Sequence, residues 1–370
     1  MRVIVSGGGT GGHIYPAVTL IREIQRQVPD AEFLYVGTKH GLESDIIPKE
    51  GLPFATVELQ GFERRISLTN IKRAGTAMAG VAKAMRIVKR FRPDVAIGTG
   101  GYVCGPILLA ASLLHVPSLI QEQNVMPGIT NKLLSRFVSK VAVGVPEAVM
   151  QFPSNKVVYT GNPIRREIME ADRAEGLSCF GFDPSKRTVL VSGGSRGARS
   201  INQAMIGILS EAVKNPEVQF LHVTGKRDYR DVMKELEAAG VSLEEAPHVR
   251  VEPYLYNMPQ ALAMSDLAIF RSGAIGMAEL MARGIPSILI PYPYATENHQ
   301  EHNARAAVVA GAARMILDKD LSAESLREVL VELLQEKETL EKMKKCCLNL
   351  GKPKAAQEIA SLAIQLVRKG

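Results

Sequence analysis

Three glycine runs hold the residues of this chain that are best spaced for chemistry: Ser6-Gly7-Gly8-Gly9-Thr10-Gly11-Gly12-His13, Gly98-Thr99-Gly100-Gly101 and Gly193-Gly194-Ser195-Arg196-Gly197-Ala198. Glycine lets a backbone come close to an anion, and a helix start offers unpaired N–H groups at the positive end of its dipole. The runs follow short apolar strands, Val3–Val5, Val95–Ile97 and Thr188–Val191, and the first and last lead into helices. A single loop of this kind is equally well explained as a tight strand-to-helix turn. Three of them predict a site for two substrates that both carry phosphate.

His13 closes the first run at a helix start, where the dipole disfavours imidazolium and suits a neutral base. The segment Arg271-Ser272-Gly273-Ala274-Ile275-Gly276-Met277-Ala278-Glu279 predicts another strand-turn-helix step, with Glu279 in the first helical turn and able to chelate the hydroxyls of a ribose. Gly7, Gly9 and Gly12 also fit the dinucleotide spacing G-x-G-x-x-G, but the second strand ends in Gly37-Thr38-Lys39 without the ribose-binding acid, which argues against a nicotinamide or flavin enzyme. His299 and His302 lack the H-E-x-x-H order, so no metal site is expected. Cys104, Cys179, Cys346 and Cys347 form no C-x-x-C pair and are expected as reduced thiols.

The elements that must position these loops alternate as strand and helix, which specifies parallel sheets in an α/β fold. In the first half a helix from about Pro16 to Gln27 leads to strands at Glu32–Val36, Asp94–Ile97, Pro117–Ile120, Lys140–Val143 and Val157–Tyr159. The pattern restarts at Thr188, with further strands at Gln219–Val223, Val249–Val251, Leu267–Phe270 and Ser287–Ile290 and helices starting at Ser200, Tyr229, Asn257 and Gly276. Long helices fill Ser322 to Lys345, and a last helix runs from about Ala355 to Val367. The 370 residues favour two domains: 1–163, with the C-terminal helix 353–370 packing back on it, and 164–352, hinged near Asn162 to Arg165.

The net charge of +7 is concentrated. Between Phe62 and Arg92 stand nine basic residues, Arg64, Arg65, Lys72, Arg73, Lys83, Arg86, Lys89, Arg90 and Arg92, against the single acid Glu63. Ile66, Leu68, Ile71, Met78, Val81, Met85 and Val88 recur among them at helical spacing, giving a basic amphipathic surface suited to anionic lipid. With no tryptophan and few aromatics for base stacking, nucleic acid is not expected as a partner. The apolar run Ile107 to Leu114 is too short to span a bilayer, and the N-terminus enters a core strand at once, so the chain is expected in the cytoplasm.

Gly7 to Ala17, Gln121-Glu122-Gln123-Asn124, Gly161-Asn162-Pro163-Ile164-Arg165, Gly193 to Ala198 and Arg271 to Glu279 together resemble, in order and along essentially the whole chain, the MurG family of bacterial N-acetylglucosaminyltransferases. The resemblance implies a GT-B fold of two facing Rossmann-like domains and transfer of N-acetylglucosamine from UDP-GlcNAc to undecaprenyl-diphosphate-MurNAc-pentapeptide (lipid I), giving lipid II for peptidoglycan synthesis. It implies donor binding by Thr10, Gly11, Gly12, Asn124, Arg165, Ser195, Leu255, Ala274, Ile275, Gly276, Met277, Glu279 and Gln300. Gly9, Gly100, Gly101 and Tyr102 would receive the acceptor diphosphate, with His13 as catalytic base and Glu122 in reserve. The sequence departs from the family pattern around Leu255 and in Pro291-Tyr292-Pro293-Tyr294-Ala295.

Lys72, Arg73, Lys83, Arg86, Lys89 and Arg90 would hold the protein on the cytoplasmic face of the membrane as a peripheral enzyme. No tightly bound cofactor is expected, with a divalent cation at most assisting turnover. The alternative reading is a diacylglycerol glycosyltransferase of the same fold using a UDP-sugar, and a remoter one is a UDP-sugar epimerase.

Overall fold

Short runs of β-branched and other apolar residues, flanked by glycine turns and helices, assemble here into two parallel sheets. The computed structural model describes residues 1–58 and 68–369, with side chains described for 1–58 and 79–368. Two units emerge: Met1–Ile164 with Lys354–Gly370, and Arg165–Pro353.

The first unit runs β1 (Arg2–Ser6), α1 (Gly11–Gln27), β2 (Glu32–Gly37), α2 (Glu43–Lys49), β3 (Phe54–Thr56), α3 (Leu68–Phe91), β4 (Val95–Gly98), α4 (Cys104–Leu113), β5 (Ser118–Glu122), α5 (Ile129–Leu134), β6 (Lys140–Val143) and β7 (Val157–Tyr159). Its strands are parallel in the order β3-β2-β1-β4-β5-β6-β7. The order reverses between β1 and β4, and that switch point is where ligands enter doubly wound sheets. Val3, Ile4 and Val5 are fully buried, as a strand covered on both faces requires. On one face Ile14, Leu20, Ile21 and Ile24 of α1 pack on Val3 and Val5. On the other, Ala84 and Val88 of α3 and Ile107 of α4 cover Ile4 and Val36.

The second unit runs α6 (Arg166–Glu170), α7 (Arg173–Phe180), β8 (Arg187–Ser192), α8 (Arg199–Ala212), β9 (Val218–Val223), α9 (Tyr229–Ala238), β10 (Val249–Glu252), α10 (Met258–Met264), β11 (Leu267–Phe270), α11 (Ala274–Arg283), β12 (Ser287–Leu289), α12 (His299–Val309), β13 (Ala313–Met315), α13 (Ala323–Gln335) and α14 (Lys337–Leu350). The order β10-β9-β8-β11-β12-β13 repeats the first plan, with its switch point between β8 and β11. Ile201, Met205 and Leu209 of α8 and Leu326, Leu330 and Leu333 of α13 bury one face. Leu262 of α10, Leu280 of α11 and Cys347 of α14 bury the other. Burial contributes about 1.5–3 kcal/mol for each large aliphatic side chain among them.

The last helix, α15 (Ala355–Lys369), belongs to the first unit, where Ile359, Ala360 and Ala363 join the core beside α1. Several bounds differ from the sequence expectation. Helix α1 starts at Gly11 rather than Pro16, because Thr10, in extended conformation directly after the glycine turn, is the last residue before the helical backbone begins. Helix α11 starts at Ala274 rather than Gly276, launched from an extended Gly273. The long helices expected from Ser322 to Lys345 are α13 and α14, which meet at Glu336, and the second runs on to Leu350. The short elements α2 and β3 have no counterpart in the sequence reading.

Candidate active site

At the switch point of the first unit, Ser6 of β1 lies beside Gly98 of β4, so the first two glycine runs leave the sheet side by side. The Tyr35 hydroxyl donates to the Gly7 carbonyl (2.6 Å), and the Gly8 amide donates to the Gly100 carbonyl (3.3 Å). Gly101 has φ +81°, and a Cβ there would lie 2.4 Å from the Gly8 carbonyl oxygen, so only glycine fits. Beyond this turn α1 begins with no side-chain cap and no acid in its first turn. Helices α7 and α13, by contrast, are capped by Asp172 and Ser322. An uncapped start leaves the amides of Gly11 and Gly12 directed at whatever anion arrives. The Tyr102 side chain is exposed and lies against the open face of Gly9.

His13 sits in the first turn of α1. Its Nδ1 lies 3.0 Å from the Thr99 carbonyl and 3.3 Å from Gln123 Oε1. Both atoms are acceptors, so Nδ1 carries a proton, and in the neutral form of the ring the lone pair is the one on Nε2. Gly100 makes room for this ring: a Cβ would stand 2.6 Å from Nδ1. Gln123 Nε2 in turn donates to Thr99 O (2.6 Å) and Gln121 Oε1 (2.5 Å), Gln121 Nε2 donates to Asn162 Oδ1 (3.0 Å), and Asn162 Nδ2 donates to Gln123 O (3.0 Å). These amides are buried and satisfied by one another, which fixes the geometry behind the imidazole.

Glu122, expected as a reserve base, has a different place. Neighbouring strand residues point to opposite sides, so it faces away from Gln121 and Gln123. It is 1% exposed, and its carboxylate accepts from the backbone N–H and side-chain amide of Asn124 (3.0 and 3.3 Å), the N–H of Gly128 (3.1 Å) and the side-chain amide of Asn131 (2.8 Å). A carboxylate so occupied orients the Asn124 loop and is not placed to take a proton from a substrate.

The sequence reading missed Glu43. This residue opens α2, is fully buried, and accepts from Gly9 N (3.1 Å), Thr38 N (3.0 Å) and Thr38 Oγ (2.6 Å). Burial pushes its pKa up, but the hydrogen bonds from Thr38 and Gly9 outweigh burial and hold the carboxyl below its ordinary value. One expected role changes with it: the Gly9 amide, assigned to an acceptor diphosphate, is already engaged by Glu43. The signal in the sequence was the glycine triplet at 8, 37 and 41, where a Cβ would come within 2.7, 2.5 and 2.3 Å of this side chain.

The second unit repeats the arrangement, with Phe270 of β11 beside Ser192 of β8. Ser195 is exposed in the loop before α8, and Gly197, at φ +76°, passes so close to Thr224 that a Cβ would meet its carbonyl at 2.0 Å. Helices α8 and α11 also start without a side-chain cap or a first-turn acid. Ala274, Ile275, Gly276 and Met277 form the first turn of α11, which moves Glu279 into the second turn, a correction that follows from the earlier start. Glu279 is 8% exposed and stands 3.4 Å from Arg165. Burial raises its pKa, and the Arg165 guanidinium offsets only part of that.

Leu255 is buried in the cluster with Leu221 and Phe270. Beside it in the chain, Tyr254 and Tyr256 meet edge to face, with Lys226 Nζ 5.1 and 5.6 Å from their ring centres. Gln300 accepts from Tyr292 N (3.0 Å) just after Glu297 and Asn298, both at φ +53°. The Arg271 guanidinium is nearly buried and ties Asp318 (2.5 Å) and Ser200 (2.9 Å) to the end of β11.

Of the basic segment, Arg64 and Arg65 lie outside the described residues, as do the side chains of Lys72 and Arg73. Arg86, Lys89 and Arg90 are exposed on α3, and Lys83 is 3.9 Å from Glu58. Ala84 and Val88 are buried in the core, so from residue 80 onward the buried side of α3 is filled by the protein itself. Exposed apolar side chains lie instead on the neighbouring α4–α5 edge, at Leu113, Ile129, Leu133 and Phe137. Among the described residues no group of three or more His, Cys, Asp and Glu is placed to hold a metal ion.

The chain can be compared with known proteins on this basis. Residues 3–143 match the glycosyltransferase family 28 N-terminal domain and residues 188–359 the glycosyltransferase family 28 C-terminal domain. A Bacillus cereus protein, UDP-N-acetylglucosamine–N-acetylmuramyl-(pentapeptide) pyrophosphoryl-undecaprenol N-acetylglucosamine transferase 1, is 48% identical over 369 residues, 100% of both chains. The transferase of the same description from Desulforamulus reducens is 47% identical over 360 residues, 97% of each chain. The crystal structure of Acinetobacter baumannii MurG superposes with a TM-score of 0.77 at 26% identity, covering 98% of this chain and 99% of that one. Two Rossmann-like units with parallel sheets are the GT-B architecture of these enzymes, and the chain belongs to glycosyltransferase family 28, among its UDP-N-acetylglucosamine–N-acetylmuramyl-(pentapeptide) pyrophosphoryl-undecaprenol N-acetylglucosamine transferases.

Proposed function

We propose that the chain transfers N-acetylglucosamine from UDP-GlcNAc to the 4-hydroxyl of MurNAc in lipid I, producing lipid II for peptidoglycan. The observation that carries the mechanism is the His13 imidazole, fixed by the Thr99 carbonyl with its basic nitrogen as Nε2. The acceptor O4 attacks the anomeric carbon from the face opposite UDP, the bond from that carbon to the diphosphate oxygen breaks, and the hydroxyl proton passes to His13 Nε2. The α-linked donor becomes a β-1,4 product. Positive charge grows on the sugar ring and negative charge on the departing UDP, so catalysis needs donors aimed at the diphosphate.

In the second unit those donors are the uncapped starts of α8, with Ser195, and of α11, with Ala274 to Met277. Glu279 takes the ribose hydroxyls, Leu255 lies against the uracil and Gln300 meets the sugar. Arg165 then offsets the leaving charge by charge-assisted hydrogen bonds. In the first unit, Thr10, Gly11, Gly12 and Asn124 serve the sugar, with Glu122 orienting Asn124. Gly100, Gly101 and Tyr102 receive the acceptor diphosphate. The turnover so written needs no tightly bound cofactor, and a divalent cation would act only on the diphosphate.

The basic side of α3 and the exposed Leu113, Ile129, Leu133 and Phe137 support a peripheral position on the anionic cytoplasmic leaflet, where the lipid acceptor resides. The test supplies labelled UDP-GlcNAc with either a short-chain lipid I analogue or diacylglycerol. Label appearing only in the lipid I analogue is the expected result. Label only in diacylglycerol overturns the acceptor, and release of UDP without transfer to either points to epimerase chemistry.

A further inference from the structure

We propose that Glu43 is a positioning residue for the transfer reaction: from beneath the first glycine loop it holds the Gly8–Gly9 peptide, and through it the amides of Gly11 and Gly12 and the ring of His13. A buried acid is an unexpected tenant of an anion-binding loop, since its charge repels the ligand the loop is shaped for. Here it is fully buried and fully engaged, with Gly9 N on one oxygen and Thr38 N and Oγ on the other. Three glycines surround it where any Cβ would collide: Gly8, Gly37 and Gly41.

The consequence is geometric. With its N–H turned to Glu43, the Gly8–Gly9 peptide directs its carbonyl the other way, to the contact that Gly101 leaves open. Gly9 at φ +84° then delivers the chain to Thr10, whose extended conformation sets the start of α1 and places His13 within reach of Thr99. The fixed negative charge under Gly9 also discourages an anion from settling there, so phosphate is directed to the helix-start amides. An apolar side chain would fill the same volume without doing either.

Glu43 has this role only in the transferase proposed above, and experiment separates the two: a wild-type enzyme without transfer to lipid I sinks the activity itself. With an active wild type, Glu43→Gln and Thr38→Val are assayed for kcat and for both KM values with UDP-GlcNAc and a short-chain lipid I analogue. Amide exchange of residues 7–13 is followed by mass spectrometry in the same proteins. Glu43→Gln keeps the shape but turns an NH2 toward donors, and Thr38→Val removes the shortest bond to the carboxylate.

The expected result is a kcat at least tenfold lower in Glu43→Gln with both KM values within threefold, faster exchange confined to the loop, an intermediate effect in Thr38→Val, and recovery in Thr38→Ser. A purely structural role predicts lowered thermal stability with kcat per folded molecule unchanged. Variants within twofold of wild type in kcat, or exchange that quickens throughout the first unit, would overturn the proposal. Should Glu43→Gln fail to fold, the Thr38→Val and Thr38→Ser pair decides by the same readouts.

Discussion

An imidazole works as a base only when its lone pair faces the proton it must take, and in His13 the Thr99 carbonyl decides that. His13→Ala should lower kcat by about 10²–10⁴ while calorimetric binding of UDP-GlcNAc stays intact, and a near-normal rate would pass the role to solvent, since Glu122 is fully engaged elsewhere. Glu279 poses the opposite problem, a carboxylate that the fold itself disfavours. Its folded pKa is raised above the ordinary 4.5, so between those two values the folded chain holds a proton that the unfolded chain releases. Stability from this group is therefore present below pH 4.5 and lost as pH rises through the folded value. At neutral pH Glu279→Gln should leave the melting temperature unchanged or higher, yet raise the KM for UDP-GlcNAc about 10–100-fold, as loss of charged hydrogen bonds worth ~1.5–3 kcal/mol implies. A melting temperature that falls at pH 7 and holds at pH 4 would show the sign to be wrong.

At the scale of elements, two glycines with the same backbone demand separate strain from crowding. Gly51 has φ +71° with open space around it, and Gly101 has φ +81° with the Gly8 carbonyl in the way. Gly51→Ala should cost about 1–2 kcal/mol in urea unfolding, the ordinary penalty for a left-handed alanine. Gly101→Ala should cost more and should also depress transfer, because the obstructing atom is backbone and moving it displaces the first loop. Equal costs would remove the close packing of the two runs from the account of the site. These runs were legible in the sequence because strand, glycine turn and helix follow one another directly. The Glu43–Gly9 bond spans 34 residues, and α2, which carries Glu43, has seven residues, too few for a periodic signal. Glu279 was placed one turn too early because Gly276 drew the expected helix start, whereas extended Gly273 launches the helix. The role of Glu122 was misread for a related reason: its type suggested a base, but strand alternation turned it to the Asn131 side, which no local motif announces.

At the scale of the molecule, both units use one plan: a parallel sheet whose switch point opens onto glycine turns and uncapped helix starts, so what the plan offers an anion is backbone donors rather than scattered side chains. That frees the basic side chains for another task, and the net charge of +7 has its densest source on and before α3. Among the described residues no helix is long and apolar enough to cross a membrane. Lys83, Arg86, Lys89 and Arg90 each contribute about 1 kcal/mol of attraction near an anionic leaflet, so replacing all four with glutamate should weaken partitioning onto phosphatidylglycerol vesicles at least a thousandfold at low salt. The loss should shrink as salt screens the surface, since the Debye length is only about 8 Å at physiological ionic strength. Transfer to a water-soluble acceptor analogue should be unchanged, because none of the four residues belongs to either switch point. Leu133→Ser with Phe137→Ser should weaken vesicle binding in a salt-insensitive way, as apolar insertion demands. Unchanged sedimentation of the charge-reversed protein with vesicles would remove α3 from the docking surface and leave the exposed α4–α5 edge to carry it alone.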